Sequence, residues 1–401
     1  MTTLPLEHDL ARLRAETPTS EKLIHFNNAG AGLMPEPVVR TVTDHLLLEA
    51  EIGGYEAEEA RASEIAAFYD AVATLLGCSP SSVAFTASAT DAYTRALSAV
   101  PFERGDSLLT TRNDYISNQI AFMALSRRYG IEVIHAPDAA DGQVDIAAFE
   151  SIIRTQRPRL VAVTHVPTDS GLVQPVAEIG AVCREYATLY LVDACQSVGQ
   201  LSVDVAEIGC DFLSATGRKF LRGPRGTGFL YVSPRTLAAG LEPLFIDMRG
   251  AAWTETQGYT SADTAQRFEE WESPYALKLG LAAAVRYAIE VGLEPISLRA
   301  SALAAELRLL LDGVDGVRVL DRGRERCAIV TVAVDGWKGD DFRRELTARS
   351  INSGISLLEH SRFDFNDKGV DWALRLSPHY YNTRAEVEKV ATAVVEVAAS
   401  R

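Results

Sequence analysis

A lysine in a glycine-rich frame is the residue of this chain with the most specific chemical setting. Lys219 stands in the run TGRKF at 216–220, and a second glycine-rich run, GPRGTG at 223–228, follows it. Upstream, Asp193 ends an apolar run that begins at Leu189. An amine can hold an aldehyde as a Schiff base, and a carboxylate can keep a ring nitrogen protonated. The pair therefore predicts a site for pyridoxal phosphate, which carries both groups.

The elements around these residues read as alternating strands and helices. Strands are predicted at Ile131 to His135, Leu160 to Thr164, Leu189 to Asp193, Phe212 to Ala215 and Gly228 to Val232, with amphipathic helices at 146–155 and 176–186. Such alternation makes right-handed parallel crossovers, which give an α/β sheet buried on both faces. Ligands of such sheets bind at the carboxyl ends of the strands.

The predicted pattern of secondary structure changes after about Glu272, where long helical stretches begin. Helical stretches at 276–292 and 296–311, a strand at 327–334, a strand-like run at 372–377 and a last helix at 384–399 predict a smaller α+β domain. We therefore expect an N-terminal segment at 1–24, a large cofactor-binding domain at 25–272 and a small C-terminal domain at 273–401.

Composition limits the partners of this chain. Its 401 residues carry a formal charge of −15, which repels nucleic acid and anionic lipid surfaces, so we expect neither as a partner. The five cysteines are scattered without CxxC spacing, which disfavours a disulfide framework or a metal site. The N-terminal stretch lacks the unbroken apolar region of a secretory signal. We expect a cytoplasmic location.

Taken together, the motifs resemble those of the class V group of fold-type I pyridoxal phosphate enzymes, which includes cysteine desulfurases, selenocysteine lyases, kynureninases and isopenicillin N epimerases. The resemblance runs from about His25 to Ala399. It implies an α/β large domain with a mostly parallel, seven-stranded sheet and a smaller C-terminal α+β domain. It also implies a homodimer in which each site is completed by the neighbouring subunit.

The resemblance assigns roles to the cofactor-binding candidates. Lys219 corresponds to the Schiff-base lysine, Asp193 to the partner of the ring nitrogen, and Gln196 to a side chain that reaches the ring hydroxyl. Tyr115 corresponds to the residue that stacks on the cofactor ring. The other implied contacts, to the phosphate or the ring, are Ala89, Thr90, Thr168, Thr216 and Arg218. Structural roles without a cofactor stay open for several of these residues. Ala89 and Thr90 also fit an ordinary helix start, Asp193 also fits a helix cap, and Tyr115 also fits a half-buried core tyrosine. Thr168 stands where desulfurases often carry asparagine.

Substrate contacts are implied at both ends of the chain. Arg375 matches the arginine that grips an α-carboxylate through two parallel hydrogen bonds, although an arginine in a strand also fits an ion pair. Asn28 and Ala29 would lie beside the same carboxylate. Arg362 is either a ligand for a distal carboxylate or a solvated loop residue.

The reaction is only partly predictable from these residues. Lys219, once freed by the substrate amine, is placed to take the Cα proton as general base. Desulfurases place a mobile cysteine shortly before the substrate arginine, and this chain has no cysteine after Cys327. We therefore expect a carbon–sulfur lyase or related β-eliminating enzyme. An aminotransferase, an epimerase or a cyclising enzyme is the alternative, since fold and cofactor motifs do not fix the outcome.

Overall fold

The computed structural model describes residues 4–400. The strands are β1 Ile24–His25, β2 Val83–Thr86, β3 Ser107–Thr111, β4 Glu132–Ala136, β5 Leu160–Thr164, β6 Leu189–Asp193, β7 Phe212–Thr216, β8 Gly228–Val232, β9 Ala251–Glu255, β10 Gly258–Ser261, β11 Val317–Val319, β12 Val330–Val334, β13 Ile351–Asn352, β14 Gly354–Leu357 and β15 Trp372–Leu376. The helices are α1 Leu10–Ala15, α2 Glu36–Ile52, α3 Gly54–Ala60, α4 Ala62–Leu76, α5 Ala89–Ser98, α6 Ile116–Tyr129, α7 Ile146–Gln156, α8 Val176–Glu185, α9 Val205–Ile208, α10 Pro234–Ala238, α11 Tyr275–Val291, α12 Leu293–Leu311, α13 Gly339–Ala348, α14 Arg362–Lys368 and α15 Arg384–Ala398. Short 3₁₀ helices span Pro18–Glu21, Pro80–Ser82, Ala265–Phe268 and Leu358–His360.

A seven-stranded sheet forms the centre of the large domain, in the order β2-β8-β7-β6-β5-β3-β4. The five strands from β7 to β4 are parallel, while β8 runs antiparallel to both of its neighbours. Alternate side chains of β5 enter different cores: Val161 and Val163 pack on one face, Leu160 and Ala162 on the other. This period of two, with both faces apolar, is what a strand covered by helices on each side requires. The predicted mostly parallel α/β sheet is confirmed.

A four-stranded antiparallel sheet, in the order β11-β12-β15-β14, forms the smaller domain. Val330 and Val332 on β12 and Leu374 and Leu376 on β15 are buried together in its core. The N-terminal part of the chain contacts both domains. Leu6 and Leu13 are buried in the core beneath the seven-stranded sheet, whereas β1 pairs in parallel with β13 and Phe26 is buried in the small-domain core. Strands β1 and β15 therefore belong to the same domain.

Helix α11 packs with the large domain, although the predicted boundary at 272/273 assigns it to the small one. Leu281, Val285 and Ala288 of α11 belong to the core beneath the seven-stranded sheet, whereas most of the buried face of α12 belongs to the small-domain core. The division between the two cores falls within α12, since Ile296 still belongs to the core beneath the seven-stranded sheet and Ala300 belongs to the small-domain core. Gly292 lies between α11 and α12, where its φ of +98° suits glycine. An alanine- and leucine-rich pattern predicts a helix correctly, but it does not say which core the helix covers.

Two further differences from the sequence reading bear on the site. Helix α5 begins at Ala89 rather than near Asp91, because the Ser88 hydroxyl accepts a hydrogen bond from the Asp91 amide at 3.1 Å and caps the helix. The hairpin β9–β10 was not predicted, since its strands are largely exposed and carry no apolar alternation. Within residues 4–400, no helix combines the length and apolarity needed to cross a bilayer.

Candidate active site

A pocket lies where the carboxyl ends of β5, β6 and β7 meet the N-terminus of α5. Its lining consists of Ser88, Ala89, Thr90, Tyr115, Thr164, Val166, Thr168, Asp193, Cys195, Gln196, Thr216, Arg218 and Lys219. All the residues that the sequence marked as cofactor contacts are among them. The structure therefore gathers into one cavity side chains that lie as far apart in the chain as Ala89 and Lys219.

Lys219 follows β7 on a short loop whose backbone is tied down. The Gly217 amide donates to the Thr227 carbonyl at 3.0 Å, and the Arg222 amide donates to the Lys219 carbonyl at 2.9 Å. Burial lowers the pKa of the Lys219 ammonium, against the opposing effects of Cys195 and Asp193. A lysine with a lowered pKa is more readily neutral, which is the form that attacks a carbonyl or takes a proton.

Asp193 ends β6 with its carboxylate buried and held by two donors. One oxygen accepts from the Cys195 amide at 2.9 Å, and the other accepts from the Asn118 side-chain amide at 3.1 Å. Within residues 4–400, no lysine or arginine forms an ion pair with it. The carboxylate thus keeps lone pairs available for a cationic N–H group in the pocket.

The first turn of α5 lies close against the start of β8 beside the pocket. Ser88, Ala89 and Thr90 line the pocket, and negative charge is favoured at the N-terminus of a helix. Gly228 lies so close to this turn that a Cβ there would stand 2.6 Å from the Ser88 carbonyl carbon and 2.8 Å from the Ala89 nitrogen. Arg218 adds a guanidinium that donates to the Gly30 carbonyl and forms no ion pair within the described chain.

Arg375 enters the neighbouring space from β15. Its Nη1 donates to the Thr168 hydroxyl at 2.8 Å and to the Thr168 carbonyl at 3.2 Å, and its Nη2 lies 3.5 Å from the Asn27 side-chain oxygen. Its Nε is buried without a hydrogen-bond partner, and no carboxylate of residues 4–400 forms an ion pair with it. A guanidinium with unused donors is suited to hold an incoming carboxylate.

Asn28 does not occupy the place expected for it. Its buried amide donates to the Ser377 carbonyl at 2.7 Å and accepts from the Tyr381 hydroxyl at 2.6 Å, so the side chain is used inside the fold. The neighbouring Asn27 faces Arg375 instead. Asn27 pairs with Ser377 in a β-bridge and Asn28 begins the turn that follows, and the sequence alone does not say which of the two side chains faces the site.

The other two expected substrate contacts have different positions. Ala29 lies at the edge of the site, where its carbonyl accepts from the Gln196 side chain at 3.1 Å. Arg362 is exposed at the first residue of α14 and is not among the residues that line the pocket. Ala29 and Arg375 are hydrogen-bonded to the lining residues Gln196 and Thr168, whereas Arg362 is exposed and forms no hydrogen bond with a residue of the pocket lining.

Several lining residues were not foreseen: Ser88, Thr164, Val166 and Cys195. Thr164 and Val166 sit at the carboxyl end of β5, so the rule that ligands bind at strand ends could have found them. Asp114 and Asn118 lie directly behind the pocket and are hydrogen-bonded to each other. No sequence signal marks these two, because the contacts that link them to the site, from Asn118 to Asp193 and from Thr164 to Asp114, involve residues of other strands.

The unpaired polar groups of the site fit pyridoxal phosphate. Arg218 and the first turn of α5 suit a phosphate, Asp193 suits a protonated ring nitrogen, and Lys219 suits an aldehyde. The side-chain oxygen of Gln196 is buried without a partner, as expected of a group that awaits a ligand. The donors and acceptors left open by the protein are therefore those that this cofactor would use.

Comparisons with known proteins agree with this geometry. The sequence model of the family Aminotransferase class-V matches residues 24–390. A probable cysteine desulfurase of Methanothermobacter thermautotrophicus is 28% identical over 96% of this chain and 97% of that protein. A probable hercynylcysteine sulfoxide lyase of Mycobacterium tuberculosis is 30% identical over 97% of this chain and 93% of that protein.

Solved structures show the same fold. The apo cysteine desulfurase of Thermococcus onnurineus NA1 superposes with a TM-score of 0.90 at 24% identity, covering 100% of both chains. A cystine C–S lyase in complex with its product cysteine persulfide superposes with a TM-score of 0.85 at 24% identity, covering 95% of this chain and 99% of that one. Because the family match spans nearly the whole sequence, this chain belongs to the class V aminotransferase family of pyridoxal phosphate-dependent enzymes.

Proposed function

We propose that this enzyme is a carbon–sulfur lyase, or a related β-eliminating enzyme, that acts at Cα and Cβ of an amino acid. The observation that carries the proposal is the placement of Arg375, a guanidinium without a carboxylate partner, beside the pocket that holds Lys219 and Asp193. Similarity to a probable hercynylcysteine sulfoxide lyase and to a cystine C–S lyase supports a sulfur-bearing leaving group.

Each of these side chains has a task in such a reaction. Pyridoxal phosphate, when bound, supplies an electron sink for the bond broken at Cα. Arg375 binds the substrate carboxylate and so orients the Cα–H bond, while Asp193 holds the proton on the ring nitrogen. Lys219 takes the Cα proton, since burial favours its neutral amine. The Cβ–S bond then breaks with its electron pair on sulfur, and the carbon product hydrolyses to pyruvate and ammonium.

The pocket disfavours a persulfide-forming desulfurase. Such an enzyme needs a reactive thiolate to accept sulfur. Cys195 is the cysteine that lines the pocket, and burial together with nearby Asp193 raises the pKa of its thiol well above the usual range. Cys183, Cys210 and Cys327 are buried, and burial raises the pKa of the Cys78 thiol to about 11. None of these cysteines has the environment of a sulfur acceptor.

We also propose that the enzyme is a homodimer whose interface includes α2 and the hairpin β9–β10. Large apolar side chains there are exposed: Leu47 is 68% exposed and Trp253 is 82% exposed. Phe245 and Met248, just before the hairpin, are also largely exposed. Exposed apolar groups in this number are typical of an interaction surface, and a second copy of the chain would bury the same groups on both partners.

Borohydride trapping tests the cofactor site. Reduction of the holoenzyme followed by peptide mapping is expected to find the reduced cofactor on Lys219. Lys219→Arg is the matched control, since it retains the positive charge but should give no adduct. A reduced adduct on another lysine, with Lys219 unmodified, would refute the proposed role of this residue.

Product analysis tests the reaction. Purified holoenzyme is offered sulfur-containing amino acids and their S-oxides, and pyruvate, ammonium and the sulfur product are quantified. Equal amounts of pyruvate and ammonium support β-elimination. Alanine together with a protein-bound persulfide would indicate a desulfurase. Amino transfer to a keto acid would indicate an aminotransferase, and deuterium incorporation with inversion at Cα would indicate an epimerase. Any of these three results would replace the lyase proposal.

A further inference from the structure

Behind Asp193 lies a second buried carboxylate that the proposed reaction does not use directly. Asp114, which is 8% exposed, follows β3 and precedes the first turn of α6. Its oxygens accept four hydrogen bonds, from the Thr110 hydroxyl at 2.8 Å, the Tyr115 amide at 2.6 Å, the Asn118 side-chain amide at 2.9 Å, and the Thr164 hydroxyl. No lysine or arginine is among these partners.

Asn118 joins this carboxylate to Asp193. Its side-chain nitrogen lies 2.9 Å from Asp114 Oδ1 and 3.1 Å from Asp193 Oδ2, so one NH₂ group uses a hydrogen for each carboxylate. With both hydrogens engaged, the amide cannot rotate without losing a bond at each end. The orientation of the Asp193 carboxylate is thereby fixed from the side opposite the pocket.

The same carboxylate also fixes the residue expected to stack on the cofactor ring. Asp114 Oδ1 accepts from the Tyr115 backbone amide, and Tyr115 lines the pocket with its ring centroid 6.0 Å from Lys219 Nζ. One buried group therefore sets the place of the ring-nitrogen partner through Asn118 and the place of the stacking side chain through the backbone.

We propose that Asp114 is a positioning residue for the cofactor, acting through Asn118 on Asp193 and through the main chain on Tyr115. The inference rests on the proposed role of Asp193 as partner of the ring nitrogen. A carboxylate that is free to rotate spends part of its time turned away from that nitrogen, so loss of Asp114 weakens cofactor binding and the hold on the ring proton. Outer groups that orient the ligands of a metal ion change metal affinity by about 10- to 100-fold, and we expect an effect of the same order here.

The test compares Asp114→Ala and Asn118→Ala with Asp211→Ala. Asp211 is a suitable control because it is a fully buried carboxylate that accepts several hydrogen bonds, including one from the Tyr190 amide. It precedes the amino-terminal end of β7, whereas the pocket lies at the carboxyl end of this strand. Cofactor affinity of the apoprotein and the ¹⁵N signal of cofactor labelled at its ring nitrogen are the readouts. Thermal stability is measured in parallel.

We expect both Asp114→Ala and Asn118→Ala to weaken cofactor affinity by about tenfold or more and to shift the nitrogen signal toward the unprotonated ring. Asp114→Asn should restore much of both, since its oxygen can keep the same donors and its NH₂ can donate to the Thr110 hydroxyl. Asp211→Ala should lower stability alone. Unchanged affinity and nitrogen signal in Asn118→Ala, which removes the bridge even if Asp114→Ala does not fold, would overturn the proposal. An unprotonated ring in the unmodified enzyme would instead refute the role of Asp193 itself.

Discussion

Arg375 and Thr168 are joined by two hydrogen bonds, from Nη1 to the threonine hydroxyl at 2.8 Å and to its carbonyl at 3.2 Å. The same hydroxyl accepts from the Gln196 side chain at 2.7 Å. With both acceptor positions used, the hydroxyl hydrogen remains to be donated into the pocket. Thr168 therefore orients the side chains of Arg375 and Gln196 at once.

Thr168→Val is expected to raise KM for the amino acid by about 10-fold or more, because Arg375 loses a charge-assisted hydrogen bond worth about 1.5–3 kcal/mol. The valine keeps the shape of the side chain, so the fold should be retained. Steady-state kinetics and cofactor titration check this, with Thr168→Ser as the control that restores the hydroxyl. A KM equal to that of the unmodified enzyme would contradict the role of this side chain.

Arg375→Ala should raise KM for amino acids by about 100-fold, since a bidentate grip on the carboxylate is lost. Binding of an amine that lacks a carboxylate should change little, and this contrast separates substrate recognition from general damage. Arg375→Lys should recover only part of the affinity, because an ammonium cannot form two parallel bonds. Spectral titration of the bound cofactor measures each affinity. An equal loss for the amine and the amino acid would argue against carboxylate recognition.

Gly228→Ala is predicted to weaken cofactor binding by about 10-fold or more. The added methyl would stand 2.6 Å from the Ser88 carbonyl carbon, so the first turn of α5 must move out of the position that favours an anion. Gly258→Ala is a suitable control, because the nearest atom to its added methyl is a Glu255 carbon at 3.7 Å. Titration of apoprotein with cofactor measures the affinity, and equal affinities in the two variants would refute the role of this turn in binding an anion.

Stability should fall as the pH drops below about 6.5, partly through His379. This imidazole is fully buried, its Nε2 donates to the Phe220 carbonyl at 2.7 Å, and its Nδ1 has no partner. Burial lowers the pKa of His379 to about 3. The unfolded chain then binds more protons between about pH 6.5 and 3, so His379 costs up to about 1.4 kcal/mol per pH unit across that window as the pH falls.

Urea denaturation at several pH values measures this slope. His379→Gln, which can still donate to Phe220, should flatten the profile between about pH 6.5 and 3. The exposed His8 offers the control, and His8→Gln should leave the profile as it is. An unchanged slope in His379→Gln would show that this imidazole does not carry the effect.

Leu47→Glu and Trp253→Glu are expected to convert the dimer to monomer, because each places a charge where an apolar group would be buried on association. Light scattering of the purified variants measures the mass. Glu345→Lys, on the exposed face of α13 in the small domain, introduces a charge change away from this surface and should leave the mass unaltered. Dimers in both apolar-to-Glu variants would place the interface elsewhere.

The strands that carry the cofactor contacts were predictable because each is a short apolar run followed by a polar residue. Leu189–Asp193 was predicted with its exact bounds, and the end of this strand placed Asp193 correctly in the pocket. The lysine loop was equally clear, since glycines beside a lysine are an unusual local combination. Local pattern is sufficient where a residue's position depends on the strand that precedes it.

Contacts between distant segments were not predictable in the same way. Asn27 and Asn28 are identical in type and adjacent, and only the pairing of this segment with Ser377 decides which side chain faces Arg375. The hydrogen bond from Asn118 to Asp193 joins α6 to β6. The division between the two cores depends likewise on how α11 and α12 pack. Each of these facts is set by packing between parts of the chain that are far apart in sequence.

The attachment of the N-terminal segment has a consequence for how the cleft can move. The Phe26 amide donates to the Asn352 carbonyl at 2.9 Å, and the Ser377 amide donates to the Phe26 carbonyl at 2.7 Å, one residue before Asn27. Any movement of the small domain relative to Lys219 would therefore carry Asn27 and Arg375 together. The relative positions of these two side chains would then stay the same in an open and in a closed cleft.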